Sequence, residues 1–266
     1  MPGRFKLLVV IGLIVAAPGC ATFWDEVTSS ERDARYMFGW NKPNPLIVIR
    51  DNDPSKPNAD GLRRAQALGE LREPLKNGGN AQDQEAYLKI LGAAATTDRE
   101  PLCRLAAIRA LGKFQDRRAA AILEDVFNQQ KLPFTAENNS MIHREALVAL
   151  ETMHDPSSLA LMVRVARQPG PPKSADRVDR MQTQDERIVA VRALGHYKEK
   201  DAVDTLAHVL KMEKDVALRG RAHAALEEST GKHWPNSFED WQAAKVDPLP
   251  SDPTRDFIQQ VGGWFR

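Results

Sequence analysis

The chain has 266 residues, of which 42% are hydrophobic, 27% charged and only 6% aromatic, and its formal net charge is +1. That length allows one or two domains with a sizeable core, and few aromatics beside plentiful alanine suit close-packed helices better than a sheet. A charge so near zero gives no bias toward nucleic acid or acidic membranes, and two cysteines exclude a disulfide framework.

Arg4 and Lys6 precede an apolar run over residues 7–17, followed by Pro18, Gly19 and Cys20. A positive start, a short apolar stretch and a small residue before the cut describe an export signal over residues 1–19. The run is well short of the about 20 residues a membrane-spanning helix needs. A cysteine directly after Gly19 resembles the bacterial lipobox, although Ala17 stands where leucine is usual and Pro18 is atypical. The resemblance implies lipidation at Cys20 and anchorage in the cell envelope, facing the periplasm or exterior. An ordinary signal peptide with an incidental cysteine, or an uncleaved anchor, is the other reading.

Residues 20–59 form the segment between this signal and the first repeat. Residues 23–40 mix Phe23, Trp24, Tyr36, Phe38 and Trp40 with charges, and are expected to form a short helix packing on the end of the array. An interfacial aromatic foot is the alternative. Leu46, Ile47, Val48 and Ile49 read as a strand or extended packing segment. Residues 51–61 resemble a calcium loop in composition, but Lys56 and Leu62 occupy positions that need glycine and glutamate. A polar turn with Asp60 capping the next helix is expected instead.

From residue 60 to 230 one pattern recurs. Leu68, Leu111, Leu150, Leu194 and Leu226 are spaced 43, 39, 44 and 32 residues apart, and each follows an alanine. A second alanine lies four residues before the leucine in the last four copies (Ala107, Ala146, Ala190 and Ala222), on the same helix face. Arg64 takes that position in the first. Each copy is followed by a second apolar-periodic segment, within residues 80–95, 119–127, 159–165 and 203–210. Asp98, Asp116, Asp155, Asp201 and Asp215 read as helix starts, and residues 183–186 as a capping box. Gly69, Gly112 and Gly195 fall where a left-handed residue would close a helix. Arg104, Arg187 and Arg219 are expected to bond carboxylates or helix ends of neighbouring repeats.

The R-x-x-A-x-x-A-L-G run at residues 104–112, its near copy at 187–195 and the capping aspartates resemble HEAT-like repeats of the short kind found in phycobilin lyases. The resemblance implies an all-α fold: a right-handed α-solenoid of about five helical pairs with short capping helices. It covers residues 60–230 and implies no activity, since that family is mostly scaffolds with enzymes as a minority.

Two stretches interrupt the repeat, residues 131–138 and the Pro-rich, then charged, residues 168–182. Insertions in solenoids map to loops on one face, often the binding face. Arg164, Arg167, Lys173, Arg177 and Arg180 gather around the longer one and are the candidate partner-binding residues, against the alternative of a solvated flexible loop. Residues 231–266 form a C-terminal cap and tail, with Trp234 and Trp241 closing the last apolar face. An amphipathic run at 256–266 either folds back or docks elsewhere.

The six histidines form no zincin or Cys/His pattern. Asp204 and His208, one helical turn apart, read as a surface pair, and Cys103 as a small buried hydrophobe. No catalytic residue, cofactor or metal site is expected. The leading functional reading is therefore an exported, lipid-anchored scaffold that binds a protein partner, with the membrane met through Cys20 and no nucleic acid. A lyase-like enzyme or enzyme subunit acting on a small molecule is the alternative, and an unanchored substrate-binding accessory protein a third.

Overall fold

In a computed structural model, residues 43–129, 132–172 and 174–232 are described. The chain divides into two compact units, Met1–Ile47 and Val48–Arg266. Only residues 43–47 of the first are described, and the export signal, Cys20, the aromatic segment 23–40, Lys173, Trp234, Trp241 and the tail lie outside the described residues.

Among the described residues there are ten α-helices and no strand. Helix α1 (Pro45–Asp51) corrects the reading of residues 46–49 as extended. Asn44 Oδ1 accepts the Leu46 amide at 2.9 Å, and Pro45 in the first turn pre-sets a helical φ, so local capping overrides the β-branched run. Asp60 caps α2 (Gly61–Glu70) by accepting from Leu62 and Arg63 amides, as expected. The chain continues through α3 (Ala81–Thr97), α4 (Pro101–Leu111), α5 (Arg117–Asn128), α6 (Ala136–Met153), α7 (Leu159–Ala166), α8 (Arg177–Leu194), α9 (Lys200–Met212) and α10 (Val216–Thr230).

These helices stack in two layers. The first holds α2, α4, α6, α8 and α10, each packed on the next; the second holds α3, α5, α7 and α9. Each second-layer helix packs far more extensively on the first-layer helix that follows it than on the one before. This is the α-solenoid expected from the repeat.

The recurring leucines and alanines build the core. Leu68, Leu111, Leu150 and Leu194 are fully buried, as are Ala107, Ala146, Ala190 and Ala222. Small side chains let consecutive first-layer helices close on one another. The glycines extend this, and not in the way their positions suggest. Gly112 and Gly195 are right-handed, with φ of −62° and −61°. A Cβ on Gly112 would stand 2.8 Å from that of Ala149. One on Gly195 would stand 3.1 Å from Ala225 Cα. Both are required by close approach to the alanine before the next repeat's leucine, whereas Gly69 lies inside α2 with open space around it. The left-handed closures fall instead at His154 and Gly231.

Several helix starts also move. The stretch from Arg177 is helical, so Thr183 is interior and its hydroxyl donates to the Asp179 carbonyl at 2.9 Å. Asp176 is the cap, accepting the Asp179 amide. The insertion thus shrinks to the connection 167–176, because a capping aspartate and an acidic first turn suffice to start a helix in a polar sequence. Helix α9 starts at Lys200 after Glu199, not at Asp201. Asp98 caps the carboxyl end of α3 and takes an ion pair with Arg64, while α4 begins behind Pro101.

Candidate partner-binding site

Seven residues before each recurring leucine stand Gly61, Arg104, His143, Arg187 and Arg219. Arg104, buried on α4, donates from Nε to the Asp98 carbonyl at 2.8 Å and from Nη1 to Gln129 Oε1 at 3.1 Å, with its guanidinium 4.9 Å from the Phe134 ring centre. Gln129 caps the carboxyl end of α5. Arg187 pairs in the same way with Glu213, which caps α9. Burial pushes the Glu213 carboxyl up, but the Asp215 and Lys214 amides and Arg187 outweigh it and hold it below its ordinary range. A guanidinium at a helix carboxyl end also meets the negative end of the helix dipole. The expectation that these arginines clamp helix ends therefore holds for Arg104 and Arg187; Arg219 is exposed.

The third copy breaks the pattern, and the reason is legible in its cap. The corresponding second-layer helix, α7, ends at Arg167, which can only donate, so a second arginine could not pair with it. Arg167 turns away and donates from Nε to Thr205 Oγ1 on α9 at 2.9 Å. His143 turns back to α5: its Nε2 lies 3.0 Å from the Gln129 carbonyl oxygen. That acceptor fixes the proton on Nε2 and leaves Nδ1 as an acceptor in the neutral ring. Gln182 Nε2 on α8 lies 3.2 Å from Nδ1 and donates to Glu186 Oε1 at 2.8 Å. Burial lowers the His143 pKa against the opposing effect of the Gln129 carbonyl, and burial raises that of Glu186. Sequence reading missed this network; its one signal was a histidine at the arginine register.

The predicted site residues separate into two roles. Arg164 Nη2 donates to Asn128 Oδ1 at 2.7 Å, so Arg164 and Arg167 both tie α7 to its second-layer neighbours. Arg177 and Arg180 are exposed in the first turns of α8. Helices α6 and α8 each have 18 residues against 11 in α4. Counted back from the recurring leucine, α6 starts four residues and α8 seven residues earlier than α4, so at 1.5 Å per residue their amino-terminal turns overrun it by about 6 Å and about 10 Å. Met181 sits on the α8 overrun, 54% exposed, and Met141, 50% exposed, stands on α6 at the register that the exposed Leu102 holds on α4.

Elsewhere the chemistry is quiet. Cys103 donates weakly to the Gly61 carbonyl at 3.4 Å, and burial, helped by Asp98, pushes its thiol up to about 12. A thiol so held is a poor nucleophile. Asp204 pairs with Lys200 rather than His208. Among the described residues no group of three or more His, Cys, Asp or Glu is placed to hold a metal ion, and no helix is long and apolar enough to cross a membrane.

The family model described as PBS lyase HEAT-like repeat matches residues 104–129. The match runs from Arg104 to Gln129, the two residues that the clamp hydrogen bond joins. No curated protein and no solved structure matches the chain.

Proposed function

Taking the chain as a HEAT-like repeat protein, we propose that it is a non-catalytic scaffold that binds a protein partner through the overrun of α6 and α8. The observation that carries this is the unequal length of the first-layer helices. The overrun of α8 exposes Met181 together with Arg177 and Arg180, and Met141 is exposed on α6. Flexible thioethers on an exposed surface suit protein contact, and the arginines add donors for acidic or carbonyl groups at its rim. The lipobox-like run ending at Cys20 supports an envelope location with the array held near a membrane by acyl chains.

A photo-crosslinking residue at Met181 in intact cells is expected to give one discrete adduct, absent when it is placed at Ala224 on α10. A uniform ladder of products from both positions would sink the proposal. The anchor is tested separately: palmitate label should enter the protein and be lost with Cys20→Ala.

A further inference from the structure

The buried network at the foot of the overrun does more than hold helices together. We propose that His143, Gln182 and Glu186 form a pH-sensitive joint between α6 and α8, in which a proton on His143 Nδ1 replaces the glutamine bridge by a direct imidazolium–carboxylate pair and frees Gln182 from the ring. As a control of partner binding this rests on the reading above; the re-bonding itself is measured with no partner present.

The geometry leaves little choice of event. Nε2 is committed to the Gln129 carbonyl at 3.0 Å, so a second proton enters at Nδ1. Once Nδ1 carries hydrogen it can no longer accept from Gln182 Nε2, now 3.2 Å away. Two N–H groups would then face each other. Glu186 Oε1 is already 3.9 Å from Nδ1, so about 1 Å of side-chain movement makes a charge-assisted hydrogen bond. Gln182, which also donates to that oxygen, loses the ring as an acceptor and has to share the carboxylate with the imidazolium. It lies one residue beyond Met181, so its release from the ring loosens the turns that carry Arg177, Arg180 and Met181.

The surroundings favour a local response. From α8 the ring faces Gln182 and Glu186. From α5 it faces the Gln129 carbonyl and the Phe127 ring, 5.7 Å between centroids. Arg104 of α4 holds the side chain of the same Gln129. The neighbouring Arg144 and Asp185 pair with each other at 3.9 Å on the exposed side. The equivalent register of the neighbouring copies holds arginine, at Arg104 and Arg187, so this joint alone of the three places an imidazole there.

The signs follow from the two shifts. His143 is held below its ordinary 6.5, so the stability from its neutral ring is complete above that value and is lost as pH falls through its folded pKa. Glu186 is held above its ordinary 4.5, so its contribution is complete below 4.5 and is lost as pH rises through its own. Between those ordinary values both losses act, and the direct imidazolium–carboxylate pair offsets part of them.

The test is a pH titration of the full chain labelled with 15N at histidine and glutamine. His143 is expected as the Nε2–H tautomer at pH 7.5, with a midpoint below 6.5, and the Gln182 side-chain amide is expected to shift with that same midpoint. Backbone amides of residues 177–183, corrected for intrinsic exchange, should lose protection about three-fold or more across the step. His143→Arg, which restores the residue of the neighbouring copies, should abolish the step. A Gln182 amide indifferent to the His143 titration overturns the proposal, and so does a step that survives in His143→Arg. Should that variant fail to fold, the wild-type coupling alone decides.

Discussion

Two joints of this array use the same register for different ends. At the α4–α5 joint an arginine grips the Gln129 side chain and stays charged at every accessible pH; at the α6–α8 joint a histidine grips the Gln129 carbonyl and relays through Gln182 to a buried carboxylate. One C-cap residue serves both. The difference teaches that a solenoid repeat fixes where a basic group goes, while the neighbouring cap decides whether that group is a permanent clamp or a titratable one.

The largest loss is expected where a buried charge pair holds two repeats together. Asp98→Ala would leave Arg64 buried without its carboxylate, the two side chains being 11% and 1% exposed. Such a loss is expected to cost about 3–5 kcal/mol in urea unfolding. Arg104→Ala removes the clamp itself and takes the guanidinium donors from the Asp98 carbonyl and from Gln129 Oε1. We expect about 2–3 kcal/mol, with exchange protection lost first around residues 126–129. A His143→Gln chain, by contrast, should lose only about 1 kcal/mol at pH 7.5, because a neutral hydrogen bond is worth less than one to a guanidinium.

Smaller effects sharpen the packing half of the comparison. Gly112→Ala forces a methyl into Ala149 and should cost about 1–3 kcal/mol. Gly69→Ala, with nothing within 4 Å, should be neutral or stabilise by about 0.5 kcal/mol. Equal costs for the two would refute close approach as the reason for Gly112. Least of all, Arg109→Ala removes an ion pair to Glu145 on the outer face, its arginine side chain 58% exposed; a change above about 1 kcal/mol would contradict its solvent exposure.

Much of this fold was legible along the chain. The alanine and leucine pattern identified the first-layer helices and their shared face, and Asp60, Asp116, Asp155 and Asp215 marked helix starts where their side chains do cap. What misled was local chemistry with two readings. Residues 46–49 look extended until Asn44 caps them, and the charged stretch 177–182 looks like loop because its helix is paired by few apolar residues. The glycines looked like stops because their sequence position suits that role; only the distance to Ala149 and Ala225 shows that they are spacers. Of the predicted binding arginines, Arg164 and Arg167 were spent on second-layer contacts that no one-dimensional pattern encodes.

The sequence by itself determined the all-helical class, the repeat register and the buried leucine–alanine stripe, since periodicity and side-chain volume are properties of a local segment. The tertiary structure alone decided which groups meet across repeats. His143 joins Gln182 and Glu186 from 39 and 43 residues away, and its turn toward α5 follows from α7 ending in an arginine. Hydrogen-bond partners chosen by what a distant helix end can accept are a property of the packed array, and so is the joint at which a histidine stands in place of arginine.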